Sequence, residues 1–258
     1  MFELFEGRLL LYGLVLVRVT ALLFALPLWS GRFPATWKAG AALWMAVLFS
    51  FCLPEPALPQ DLSLRVLVVG ILREVLAGAA MGFSVRMLLA AITLGGQLVG
   101  FQMGLGIANV MDPATSEQNS VIAQWLNLLA LFLFLEADGH LIAVEAVAKS
   151  FAVVPPLFAH VPPSLFLDLV RTGGLDLFRA ALELAWPISV ALLLVYLALG
   201  LLARVAPQMN MLMLGFPITI LVGLLVLLLA ANPMGTRLEE YFQEAFLSMN
   251  QVLAALGR

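Results

Sequence analysis

Between Met209 and Ala231 the chain carries no charged residue. A helix needs about 20 consecutive apolar residues to cross the hydrocarbon core of a bilayer, so this run is long enough to span one. Further apolar runs of helical length cover Leu9 to Leu28, Thr36 to Leu53, Leu64 to Leu94, Val121 to Leu135, His140 to Val154 and Ala180 to Leu202. Breakers stand between them at Gly31 to Pro34, Pro54 to Pro59, Asp112-Pro113, Pro155-Pro156 with Pro162-Pro163, Gly173-Gly174, Pro207 and Pro233. Helices satisfy their own backbone in lipid, whereas open chain does not. The pattern therefore predicts an all-α, integral membrane or membrane-associated protein built of helical hairpins. Composition agrees, at 63% hydrophobic and 11% charged, against about half and about a quarter in an ordinary soluble domain.

The same composition excludes several functions. A net charge of -3 offers no basic patch of the kind that tracks phosphates, so nucleic acid is not an expected partner. One cysteine, Cys52, leaves no intrachain disulfide to form. The first residues include Glu3 and Glu6, where a secretory signal is basic, and Leu9 to Leu28 reads as a retained helix. There is no HExxH, GxSxG, P-loop or CxxC, and the two histidines, His140 and His160, both stand beside turns. No enzyme, cofactor or metal is expected. Glu136, Asp138 and Glu145 read either as a proton relay or as the polar turn of a hairpin joining two short helices. The tail beyond Asn232, with Arg237-Leu238-Glu239-Glu240-Tyr241-Phe242, has the pattern of an amphipathic helix facing solvent or a partner.

Five charged residues, Arg18, Arg73, Glu74, Arg86 and Glu183, fall inside apolar helical sequence. An arginine at the centre of a spanning helix costs roughly 2.5 to 3.5 kcal/mol on a translocon scale. Arg18 and Arg86 have the option of snorkelling from helix ends. Arg73, Glu74 and Glu183 are expected to be buried against protein or to face water, which implies partner subunits.

A glycine ladder leads into a polar insert. Gly78 and Gly82 form one GxxxG pair, and Gly96, Gly100 and Gly104 continue the spacing. A face stripped of side chains lets backbones approach closely, either within the chain or against another. Each glycine also weakens a helix by about 1 kcal/mol relative to alanine, so close contact must compensate. The ladder ends in a loop at about 106–119 whose polar residues cannot lie bare among lipid tails. In that loop Gly104 and Gly106 permit unusual backbone paths, Asn109, Asp112 and Glu117 meet water or amides, and Pro113 stiffens a turn. Ile107, Val110 and Met111 supply apolar bulk.

The stretch Gly96 to Pro113, with Gln124-Trp125-Leu126-Asn127, Asp138-Gly139-His140, Arg204 to Asn210 and Gly215-Phe216-Pro217-Ile218, resembles the FliR family, the flagellar members of the type III secretion export gate. The resemblance covers nearly the full chain. It implies a complex with FliP and FliQ in the bacterial inner membrane, at the flagellar basal body, through which unfolded flagellar subunits are exported with the help of other export proteins. It also implies a FliP-like portion at residues 1–170 joined to a FliQ-like hairpin with an amphipathic tail at residues 171–258. The loop matching Gly106 to Asn119 is then the plug of the pore. The injectisome counterpart, SctT, is the neighbouring alternative. A secondary transporter would need two similar halves, yet the C-terminal hairpin holds no counterpart to the break from Gly95 to Asn119. A membrane scaffold, with the loop as its docking site, is the third reading.

Overall fold

The computed structural model describes residues 2–26, 34–53, 63–105, 120–157, 163–208 and 210–256. Among these described residues there are seven helices and no strand: α1 (Phe2–Ala25), α2 (Ala35–Cys52), α3 (Leu64–Gln102), α4 (Val121–Glu136), α5 (Gly139–Val153), α6 (Pro163–Val205) and α7 (Met211–Leu256). Five are long and apolar enough to cross a membrane, and α4 with α5 makes a sixth if that bent pair is one span. The all-helical membrane architecture expected from the apolar runs is the one the chain adopts.

Several boundaries differ from those the breakers suggest. α3 continues through Gly95, Gly96 and Gly100 to Gln102, α6 starts at Pro163 and passes through Gly173-Gly174, and α7 continues past Pro233 to Leu256. Proline at the first turn of a helix loses nothing, because its missing N–H had no partner there. Pro187, Pro217 and Pro233 lie inside long helices, where each removes one intrahelical donor. The hairpin expected between α4 and α5 is replaced by a 60° bend. Asp138 makes that bend with φ 53, a left-handed conformation that aspartate tolerates.

The chain divides into two units that interleave along the sequence. One comprises Met1–Met87, Leu135–Gly174 and Phe242–Arg258; the other comprises Leu88–Phe134 and Leu175–Tyr241.

In the first unit α1 is a central rod. Val15 and Val19 are fully buried and Leu22 nearly so. α3 reaches α1 through the first glycine pair. A Cβ on Gly78 would collide with the Arg18 carbonyl and stand 2.9 Å from the Ala21 Cβ, and one on Gly82 would stand 3.0 Å from the Leu22 carbonyl. α2 also lies on α1, and its Phe49 ring meets Phe151 of α5 at 5.9 Å. The end of α7 buries Phe242, Ala245, Met249, Val252 and Leu256, a stripe repeating every three or four residues. The amphipathic tail thus turns its apolar face into its own chain and leaves Glu239, Glu240, Gln243 and Glu244 exposed.

In the second unit α6 and α7 run antiparallel. Glu183 meets Tyr241 near one end of the pair and Leu199 meets Gly215 near the other. Leu193, Leu197 and Leu201 of α6 and Leu221, Leu225 and Leu228 of α7 are all more than half exposed. Apolar surface on this scale marks contact with lipid or protein.

Candidate functional site at the roots of the polar loop

The second unit holds both ends of the polar insert. The loop residues Gly106, Ile107, Asn109, Val110, Met111, Asp112, Pro113 and Glu117 lie outside the described residues. The two roots, Gly104-Leu105 and Ser120, are described, and each is a helix cap.

α3 ends because Gly104 adopts φ +85, a value open to glycine and strained for residues with a Cβ. The N–H of Leu105 donates to the Gly100 carbonyl at 3.0 Å and that of Gly104 donates to the Phe101 carbonyl at 3.0 Å. These two bonds make a Schellman cap, which closes a helix and turns the chain away. Two further carbonyls remain at this end. The Gln102 carbonyl accepts from the Tyr196 hydroxyl of α6, and the Met103 carbonyl accepts from the Thr219 hydroxyl of α7 at 3.1 Å. Every orphan carbonyl at the end of α3 therefore has a donor. A Cβ on Gly223 would stand 2.7 Å from the Met103 side chain, and the Phe216 ring lies 2.6 Å from the Cβ position of Gly104. Residues of α7 thus close around the start of the loop.

Ser120 closes the other root. Its Oγ accepts from the Ala123 N–H at 3.1 Å, as the N-cap of α4. The same hydroxyl donates to the Gly96 carbonyl at 3.3 Å. A Cβ on Gly100 would collide with Ser120, and one on Gly96 would stand 2.6 Å from the Ala123 Cα. On another side Gly95 faces the Ala181 carbonyl, 2.9 Å from its Cβ position. The later glycines therefore seat α3 against α4 and α6 of the same chain. Of the two readings of the ladder, internal packing accounts for Gly78, Gly82, Gly95, Gly96 and Gly100. Tyr196, Thr219 and Ser120 escaped sequence reasoning. Their one signal was a lone hydroxyl in, or at the edge of, apolar helical sequence, where such a group needs a partner.

The intramembrane charges divide between the two expected fates. Glu74 is fully buried, while Arg73 is partly exposed and the Glu183 side chain is 41% exposed. Consecutive residues lie about 100° apart around a helix, so Arg73 cannot share the inward face of Glu74. The buried partner is Arg18, which does not snorkel. Its Nε and Nη2 donate to the two Glu74 oxygens at 2.5 and 3.0 Å, while Nη1 donates to Ser150 Oγ and the Val154 carbonyl, both at 3.1 Å. The guanidinium also lies 4.5 Å over the Phe151 ring. Glu74 accepts in addition from the Leu157 N–H at 3.0 Å. This network of the first unit ties α1, α3 and α5 to the turn that follows α5.

Comparison with known proteins bears on the whole chain. The family model described as "Bacterial export proteins, family 1" matches residues 9–245. The chain is 36% identical to the flagellar biosynthetic protein FliR of Pectobacterium carotovorum over 93% of its length and 92% of the relative's. It is 33% identical to FliR of Escherichia coli K12, over 95% of this chain and 94% of that one. With FliR of Bacillus subtilis the identity is 30%, over 95% of each.

Proposed function

This chain belongs to the FliR family of bacterial export proteins, and we propose that it is a subunit of the flagellar protein-export gate in which the segment 106–119 plugs the pore. In this reading it assembles with FliP and FliQ in the cell membrane, at the flagellar basal body, and unfolded flagellar subunits pass through the assembly. Residues 1–170 act as the FliP-like portion and residues 171–258 as the FliQ-like hairpin. Chemistry on the substrate is not required of it, because the work is passage and closure.

The observation that carries the reading is the anchoring of both loop roots. A gate for polypeptides must hold ions at rest and still yield to a passing chain. That calls for a segment free to move between firmly held ends. Gly104 and Ser120 are such ends, capped and wedged by α4, α6 and α7. Displacement of the segment opens the conduit, while its roots keep it in register for reclosure. The flagellar rather than the injectisome system is favoured by the relatives, which are named as flagellar proteins.

The test is small-solute uptake and ion leakage in cells carrying a deletion of Ile107 to Gln118. Raised permeability with an assembled gate is expected. Unchanged permeability with the same assembly refutes the plug.

A further inference from the structure

The first half of α3 is buried along one side and open along the other. Gly70, Glu74 and Gly78 are buried, whereas Val68 and Leu72 are more than half exposed and Arg65, Val75 and Arg86 are exposed as well. The open side has a regular spacing. Arg65, Leu72, Ala79 and Arg86 recur every seven residues, and Val68 and Val75 stand three places after the first two. A repeat of this period is the seam by which one helix takes another, each side chain entering a gap between side chains of the partner. Here the seam begins and ends on a guanidinium, about 31 Å apart at 1.5 Å per residue. Arg73 flanks it, partly exposed.

None of these three arginines has a carboxylate partner among the described residues. The one carboxylate of α3, Glu74, is taken by Arg18 and the Leu157 N–H. We propose that the seam is the docking surface for a helix of a neighbouring protein subunit, one that carries carboxylates at both ends of the contact and apolar side chains between them. Its acids meet Arg65 and Arg86. A polar group at a seam position costs stability and fixes the pairing of the two helices, so these two ion pairs set the register. A third acid, near the level of Leu72, answers Arg73. Phospholipid fits the same surface less well. Its phosphates stand at two levels about 30 Å apart, which suits Arg65 and Arg86. Arg73, about 12 Å from the one and about 20 Å from the other along the axis, would be left among acyl chains.

The inference rests on the chain having neighbours in an assembly, as the proposed function requires, and is independent of the plug. Its test places a photoreactive benzoylphenylalanine at position 72 of the full-length chain, in cells that make the other export subunits. The complex is purified and the crosslinked peptide identified by mass spectrometry. A crosslink to a helix of a co-purifying subunit is expected, with Asp or Glu near the levels of both Arg65 and Arg86. R65E with R86E should lower its yield by about tenfold or more, because like charges set opposite each other across an interface repel. Lysine in place of the identified acids should restore it. R171Q, at another exposed arginine of the same unit, should leave it unchanged. If the double variant does not accumulate, R65E alone reads the same loss. An assembled complex with a lipid crosslink at position 72, with a crosslinked helix that lacks acids, with a yield indifferent to charge reversal, or with an equal loss in R171Q overturns the seam and leaves the assembly standing. Recovery of the chain alone overturns both.

Discussion

The Ser120 hydroxyl occupies the space that a side chain at Gly100 would fill. A serine twenty residues further along the chain is thereby seated on α3 itself, and the polar segment between them must leave and return at one place. Even alanine at Gly100 is too large for that notch. We expect Gly100→Ala to destabilise the second unit by about 1–3 kcal/mol, the usual cost of forcing bulk into a packed contact, and Gly100→Leu to abolish accumulation of the protein. Gly13 and Gly40, whose Cβ positions meet nothing within 4 Å, are the internal comparison. Alanine there should be neutral, or stabilising by about 0.5–1 kcal/mol from helix preference. Thermal unfolding of the detergent-solubilised variants, followed by size-exclusion recovery, separates these outcomes.

Gly104 tests the backbone instead of the space. Its φ of +85 is strained for alanine by about 1–2 kcal/mol, while asparagine tolerates left-handed caps better. Gly104→Asn should therefore retain more swarming motility than Gly104→Ala. The side chain of Phe216 lies close to both substitutions, so combining each with Phe216→Leu relieves crowding and isolates the conformational part. Equal motility in Asn and Ala variants of that background would mean the cap geometry is unimportant.

How much of this was legible beforehand depends on range. The apolar runs located all seven helices of the described residues, because burial in lipid or protein writes itself along a single helix. Their ends were less legible. Gly173-Gly174 and Pro233 look like breakers, yet α6 and α7 pass through them: a glycine costs about 1 kcal/mol in a helix, less than the packing of a long apolar face supplies. Pairings across the sequence left no local trace. Arg18 and Glu74 are 56 positions apart, and nothing beside Arg18 distinguishes it from an arginine that snorkels. Glu183 carried no sign of which fate it meets, and its partners Arg179 and Tyr241 hold it at an exposed position. The glycine ladder marked α3 as a close-contact helix without naming the surface it meets. Packing against α1, α4 and α6 is a property of the folded chain.

Removal of one member of the Arg18 and Glu74 pair should be far worse than removal of both. Glu74→Gln leaves a guanidinium fully out of water without its counter-ion, and breaking a buried pair in this way costs about 3–5 kcal/mol. Replacing both residues, as Arg18→Met with Glu74→Leu, removes the stranded charge together with its partner. It leaves the Leu157 N–H, the Val154 carbonyl and the Ser150 hydroxyl to lose one bond each. The double variant is expected to retain protein at levels closer to the parent than either Glu74→Gln or Arg18→Met. Additive losses in membrane abundance and in resistance to limited proteolysis would show that the two residues do not act as a unit.

The last prediction joins the loop roots to the gate. Tyr196→Phe and Thr219→Val each delete one hydroxyl and leave a carbonyl at the end of α3 without its donor. An unsatisfied polar group of this kind costs about 1–3 kcal/mol when buried. The cost falls on the helix end from which the segment 106–119 departs. If the segment is the proposed plug, each variant should therefore assemble in near-normal amounts while holding it less firmly. The measurement is ion leakage through assembled gates, read as the drop in membrane potential when export is idle, and it should rise in both single variants and further in the pair. A serine at position 219 restores a hydroxyl without the methyl group, so Thr219→Ser should return leakage toward the parent level. Tight gates in Tyr196→Phe, Thr219→Val and their combination would separate the α3 terminus from closure of the conduit.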